Sequence, residues 1–196
     1  DLFDGRSVKV AAFPIGLDYD EFLEGGQTGD ARQAHQRMLS SSRHRKVIIG
    51  VDRLDYSKGL PERFDALGRF FDTYPDRVKE TLYVQIAPPS RQDVASYQKI
   101  RNTLEQKAGQ INGERSEVDM VPIRYVNRGY SRQELFGIYR SAHVGLVTPL
   151  RDGMNLVAKE YVAAQDPEDP GVLILSRFAG AAAQLPDAVL VNPHSP

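Results

Sequence analysis

Two cations set five residues apart in one short segment are the first groups in this sequence that could do chemistry. The segment reads Val51-Asp52-Arg53-Leu54-Asp55-Tyr56-Ser57-Lys58-Gly59 and lies between a β-branched run and a stretch with helical spacing. Arg53 and Lys58 could grip a diphosphate there. Gly59 permits close backbone approach, and the following helix offers free N–H groups and the positive end of its dipole. The same two charges could instead pair with Asp52 and Asp55 on the surface, and the local sequence leaves both readings open. A second segment, Thr148 to Glu160, carries the turn signal Asp152-Gly153 ahead of a helix beginning near Asn155, whose amides would face whatever sits above it. Glu160 lies about one and a half turns further on. Its carboxylate could accept from two vicinal hydroxyls, as a ribose presents, or it could be an ordinary surface glutamate.

The elements that must position these loops alternate along the chain. Strand patterns occur at 46–51, 82–87, 121–126, 143–147, 172–175 and 188–191, and helical spacing at 61–71, 93–111, 132–141 and 155–164. Pro61 suits a first helical turn, and Pro122 suits a strand's start or an edge. Earlier in the chain, Val8 to Phe13 reads as a strand stopped by Pro14 and Gly16. An acidic, Gly-containing stretch follows, then a helix from about 31 to 41. Strands alternating with helices imply an α/β fold, a Rossmann-like parallel sheet covered on both faces. In such sheets ligands sit beyond the carboxyl ends of the strands. That rule selects the loops 52–60, 87–92, 127–131 and 148–155.

Composition narrows the partners. The 196 residues include 25 basic and 26 acidic side chains, for a formal net charge of -1, so there is no general field to draw in nucleic acid or an anionic membrane. There is no cysteine, which removes disulfides, thiolate metal sites and cysteine nucleophiles. Four histidines, His35, His44, His143 and His194, fall in no metal-ligand spacing and read as structural or solvent-facing. The basic run of Arg32, Arg37, Arg43, His44, Arg45 and Lys46 has no interleaved aromatics and reads as a solvated linker rather than a nucleic-acid surface. Both ends read as cuts through a larger protein.

The segments VDRLDYSKGLPERF and TPLRDGMNLVAKEYVAAQ resemble the two signature segments of the trehalose-6-phosphate synthases, retaining glycosyltransferases of the two-Rossmann-domain GT-B fold. AAFPIG (11–16), QIAPPSRQDVASYQ (85–98), GQINGE (109–114), SAHVGLVTPL (141–150) and SRFAGAAAQL (176–185) fit the same family in the same order. The resemblance covers nearly the whole chain. It implies that residues 1–45 hold the last strand of an N-terminal domain plus a linker. Residues 46–196 would form the UDP-glucose-binding domain, with its carboxyl-terminal part missing.

By the same resemblance, Arg53 and Lys58 would grip the donor diphosphate and the acceptor phosphate side, and Arg91 would be an additional arginine near the acceptor phosphate. Asp152 would hold the transferred glucose, with the amides of Gly153, Met154 and Asn155 close to the sugar. The amides of Asn155 and Leu156 would face the diphosphate, and Glu160 would take the ribose hydroxyls. The base would lie near Ile86, Leu135 and Val157. The resemblance implies metal-independent transfer from UDP-glucose to glucose 6-phosphate with retention at the anomeric carbon and no cofactor. It also implies a cytoplasmic enzyme, homo-oligomeric at full length, that needs its N-terminal domain and touches neither nucleic acid nor membrane. Two alternatives accompany it. One is a relative with another acceptor or donor, such as a glucosylglycerol-phosphate synthase or a pseudo-glycosyltransferase. The other is a non-catalytic domain that senses nucleotide sugar.

Overall fold

The computed structural model describes residues 2–3, 6–89 and 95–195. Its centre is a six-stranded parallel sheet. The strands are β1 (Lys46–Val51), β2 (Thr81–Ile86), β3 (Ile123–Val126), β4 (Val144–Val147), β5 (Val172–Ser176) and β6 (Val189–Val191). Their spatial order is β3-β2-β1-β4-β5-β6, the doubly wound order of a dinucleotide-binding sheet. The order reverses direction between β1 and β4, which pair through Ile48↔Val144 and Ile49↔Gly145. The Rossmann-like α/β expectation therefore holds.

Alternation along the central strands splits the core in two. Val47, Ile49 and Val51 of β1 and Leu82, Val84 and Ile86 of β2 face one helical layer, while Ile48 and Tyr83 face the other. The second layer is built from α3 (Leu60–Thr73) and α5 (Ala95–Arg115). Leu60, Phe64, Leu67 and Phe71 recur at helical spacing on α3, as do Ile100, Leu104, Ala108 and Ile111 on α5, and all of them are buried. The first layer contains α6 (Arg132–Arg140) and α7 (Leu156–Ala164), both closely packed on the sheet. A short α4 (Arg77–Glu80) leads into β2.

The amino-terminal part departs from its sequence pattern. Residues 8–18 form no strand or helix, and Val10, Phe13 and Ile15 are exposed. A strand is stable only beside a partner, and none runs next to this segment among the described residues. The strand expected at 8–13 is thus replaced by irregular chain, and a two-residue antiparallel pairing (Leu2–Phe3 with Arg6–Ser7) precedes it. The acidic stretch after it forms a helix, α1 (Tyr19–Gly26), capped by Asp18, whose side chain accepts from the Glu21 amide at 3.1 Å. Two terminal glycines give α1 poor propensity. Phe22 overrides that by burying its ring 5.2 Å from that of Phe136. α2 (Gly29–Ser42) then lies along α6, burying Ala31 and Ala34, so this basic segment is packed onto the sheet's helical layer.

Candidate functional site

The loops after β1 and β4 straddle the switch point because β1 runs on to α3 on one face and β4 to α7 on the other. Beneath them lies a buried polar cluster. The Arg63 guanidinium, on the first turn of α3, donates to Asp52 Oδ2 (2.5 Å), Gln85 Oε1 (3.0 Å) and Thr148 Oγ1 (2.9 Å). Its remaining nitrogen reaches the carbonyl of Lys58 at 3.4 Å. One side chain thus ties the end of β1, the 52–60 loop and the start of the 148–155 loop together. Burial by itself would lower the Arg63 pKa, but the Asp52 carboxylate beside it more than offsets this and holds the guanidinium above its usual range. Tyr83 donates to the same Gln85 oxygen, and burial pushes its hydroxyl up to about 12.

Sequence reading passed over Arg63, which looks like one more polar residue of an amphipathic helix. A signal was present in Gly50, a glycine inside a β-branched run. A Cβ there would lie 2.6–2.8 Å from Gln85, Tyr83 and Arg63, so the cluster needs that strand position to be bare.

Above this base the two loops meet. The Lys58 ammonium lies 2.5 Å from Asp152 Oδ2, with both side chains largely but not fully buried. Lys58 closes a single 3-10 turn (Tyr56–Lys58) whose start is fixed by Asp55, which accepts from the Ser57 amide at 2.9 Å and its hydroxyl at 2.8 Å. The Ser57 amide, countered in part by burial and aided by its hydroxyl and by Lys58 and Arg53, holds the Asp55 carboxyl below its ordinary range. Gly59 then adopts φ 63°, with the Thr148 carbonyl 2.7 Å from where a Cβ would sit. Left-handed backbone and lack of space both require glycine there.

The 152–156 turn is braced from two sides. Leu150 N donates to the Ser57 carbonyl at 2.8 Å, and Asp152 N, Gly180 N and Ala181 N bond the turn to the 178–181 segment. Asn155, at φ 72°, caps α7 by accepting from the Ala158 amide (3.3 Å), and its own amide group donates to Asp152 Oδ2 (3.1 Å). Met154 N donates to Asp152 Oδ1 at 3.3 Å. Asp152 is therefore gripped by one ammonium, one side-chain amide and one backbone amide. The surface pairing set out as an alternative in the sequence does not form, because Asp52 is committed to Arg63 and Lys58 to Asp152.

The remaining site residues fall into place unevenly. Arg53 is exposed at the rim, close enough to Asp55 to influence it. Gly153 is exposed; Leu156 and Val157, on the first turn of α7, are half-buried. Glu160 stands further along that helix, half-buried, with the Tyr139 hydroxyl 3.4 Å away. Burial raises its carboxyl pKa, partly countered by Arg132 and that hydrogen bond. Leu135 and Val157 are partly buried and pack against the first layer's core, to which Ile86 belongs. The Ile86 side chain is itself fully inside that core, so its carbonyl, which accepts from Asp52 N at 3.0 Å, is the part nearest the loop. Arg91 lies outside the described residues. Two of the histidines serve structure: His143 Nδ1 accepts from Val47 N at 3.1 Å, and His35 bonds Ser141 at 2.8 Å.

The match to known proteins is consistent with this geometry. Residues 2–195 fit the model of glycosyltransferase family 20. The chain belongs to that family. The trehalose-6-phosphate synthase of Sinorhizobium fredii is 50% identical over 190 residues, which are 97% of this chain and 41% of that protein. A UDP-forming alpha,alpha-trehalose-phosphate synthase from Burkholderia xenovorans, solved in complex with glucose-6-phosphate, superposes with a TM-score of 0.93 at 51% identity. The overlap is 98% of this chain and 42% of that one. An Escherichia coli member of the family solved with UDP-2-fluoro glucose gives a TM-score of 0.91 at 47% identity over 98% of this chain and 42% of that one. The chain thus spans about two fifths of the length of these family 20 relatives.

Among the described residues no helix is long and apolar enough to cross a membrane, and no three His, Asp or Glu side chains gather as a metal ion would need.

Proposed function

We propose that this chain is the donor-binding part of a retaining glucosyltransferase that moves glucose from UDP-glucose to glucose 6-phosphate, giving α,α-trehalose 6-phosphate and UDP. The observation that carries the reading is the Lys58–Asp152 contact at the switch point of a 3-2-1-4-5-6 sheet, where the two family segments meet. In the structure each charge neutralises the other. A sugar diphosphate would exchange that pair for two contacts: Lys58, with Arg53, on the diphosphate, and Asp152 on the hydroxyls of the glucose. The amides of Gly153, Met154, Asn155 and Leu156 would complete the cradle at the amino end of α7, and Glu160 would accept from the ribose. The base would rest by Leu135, Val157 and the Ile86 backbone. Arg91 is assigned to the acceptor phosphate.

In the reaction the bond from the anomeric carbon to the β-phosphate oxygen breaks as the acceptor hydroxyl closes on the same face, its proton passing to the departing diphosphate. Negative charge grows on that diphosphate, so fixed cations and preorganised amides stabilise the transition state more than the bound substrate. The reading asks no metal, cofactor or protein nucleophile of the chain. Asp152, already surrounded by donors, serves as a hydroxyl acceptor. Residues 1–45 are assigned to the boundary with an N-terminal acceptor domain and 46–196 to the donor domain. A cytoplasmic location is part of the same proposal, since both proposed substrates are anions that do not cross membranes unaided. A homo-oligomeric full-length protein is part of the same proposal.

The test is product formation. Full-length protein given UDP-glucose and glucose 6-phosphate should release UDP and trehalose 6-phosphate, and Arg53→Ala should suppress both. The 196-residue chain alone should bind UDP and turn nothing over. UDP binding without product by the full-length protein would mark a sensor instead, and binding of ADP-glucose alone would overturn the donor assignment.

A further inference from the structure

A second set of cations converges at the opposite end of the sheet, on the amino side of β1, β2 and β3. A cleft of about 510 Å³ opens there, lined among others by Ser41, Arg43, Arg45, Asp119, Val121 and Arg124. Arg45 is buried, and its partners are all carbonyls: Ser42 to Nε (3.1 Å), and Val121 (2.8 Å) and Thr81 (3.5 Å) to Nη1. Arg124 donates from Nη1 to the Ser41 hydroxyl (2.8 Å) and from Nη2 to the Ser41 carbonyl (2.6 Å). Arg43 meets the one carboxylate lining the cleft, donating from Nη1 to Asp119 Oδ2 (3.0 Å) and to the Asp119 carbonyl (3.1 Å). Glu117, on the same short hairpin as Asp119, is taken up by Lys79 at 2.6 Å.

The charges in the cleft do not cancel. Three guanidiniums face one carboxylate and the carboxyl end of α2, whose aligned dipoles amount to roughly half a negative charge. About one and a half positive charges are left over, which matches a phosphate group near neutral pH, at about 1.5 to 2 negative charges. Burial, and then the neighbouring guanidiniums, hold Arg45 and Arg124 below the usual arginine range. Capping α2 explains why Arg45 and Arg124 are placed here, but it uses only part of each five-donor fork. Among the described residues no aromatic side chain lines the cleft, so it offers no stacking surface for the bases of a nucleic acid.

We propose that this cleft binds a small phosphorylated anion, orthophosphate or the phosphoryl group of a sugar phosphate, on the guanidiniums of Arg43, Arg45 and Arg124. The site lies at the far end of the strands from Lys58 and Asp152, and it is independent of the reading given for that pair. Thermal denaturation of the chain in rising inorganic phosphate, against chloride at matched ionic strength, tests it. At tenfold above the half-saturating concentration the midpoint should rise by about 3–6 °C. The rise should survive Arg53→Ala with Lys58→Ala and disappear in Arg43→Gln with Arg124→Gln. Glucose 6-phosphate at the same concentration separates the sources: a larger rise than with phosphate assigns the cleft to a sugar phosphate, an equal or smaller one to orthophosphate.

A rise lost with Arg53 and Lys58 but kept without Arg43 and Arg124 would overturn the proposal, as would no rise at all. Should the double glutamine variant misfold, side-chain NMR of the unaltered chain decides the matter. Phosphate should shift the Arg45 Nε resonance, and an unmoved resonance at saturating phosphate would also overturn it.

Discussion

At the carboxyl ends of the strands, Lys58 is held against Asp152 and Arg63 against Asp52, whereas at the amino ends Arg45 and Arg124 donate to carbonyls and Arg43 alone meets a carboxylate. Both ends carry cations able to take an anion, yet they would do so differently. At the carboxyl end the charges are already compensated, so a ligand must replace a partner with equal or better geometry. Position rather than net charge then decides what binds, as the proposed recognition of both a diphosphate and a sugar would require. At the amino end the charge is only partly compensated, by Asp119 and the end of α2, and the proposed anion would supply the rest. The carboxyl end also rests on a buried polar base, while the amino end is hung on the end of a helix.

The comparison breaks most sharply at Arg63. Replacing it by Met should cost about 3–5 kcal/mol in urea unfolding, because Asp52 is left buried and unpaired. Adding Asp52→Leu should recover part of that loss. An Arg63→Met variant of unchanged stability would mean that the base carries none of the site's rigidity. Next comes Lys58→Ala, which should lower turnover of the full-length protein about a hundredfold, about 3 kcal/mol, while leaving the unfolding midpoint nearly in place. A large fall in stability with little change in rate would invert the roles assigned to Lys58 and Arg63. Gly59→Ala should cost about 1–2 kcal/mol for the left-handed backbone, with a further penalty from the Thr148 carbonyl, read by the same unfolding assay.

The smallest effect concerns pH. Burial raises the Glu160 carboxyl pKa in the folded chain, so the fold binds that proton more tightly than the unfolded chain does. Stability from this group is therefore present below about pH 4.3, the usual glutamate value, and is lost as pH climbs toward the raised folded value. Glu160→Gln should make the unliganded chain slightly more stable at neutral pH and weaken its binding of UDP. Comparing pH-dependent unfolding of the two proteins checks the sign.

The layered architecture was legible because its strands are continuous apolar runs. Lys46–Val51 and Val172–Ser176 announce themselves as buried parallel strands, and the fixed handedness of the crossovers does the rest. Val8 to Phe13 carries the same composition but lacks a neighbour, and composition alone cannot supply one. α1 was hidden by its Gly-Gly end and exists because Phe22 finds Phe136, a contact 114 positions along the chain that no local pattern encodes.

The site divides in the same way. Lys58, Asp152 and Asn155 could be picked out because a cation, a turn and a cap are local signals. That Lys58 would choose Asp152, 94 residues away, over nearby Asp55 depends on the sheet order. Arg63 was missed for a related reason. Its neighbours on α3 at helical spacing, Leu60, Phe64 and Leu67, mark a buried face, yet a charge there reads as solvent-facing until Asp52 and Gln85 are seen beside it.

A crystal structure of the full-length protein with UDP-glucose bound tests the central claim most directly. The Lys58 ammonium should have left Asp152 and lie within about 3 Å of a diphosphate oxygen, with Asp152 accepting from the sugar. A nucleotide sugar bound elsewhere, with the Lys58–Asp152 pair intact, would contradict the account.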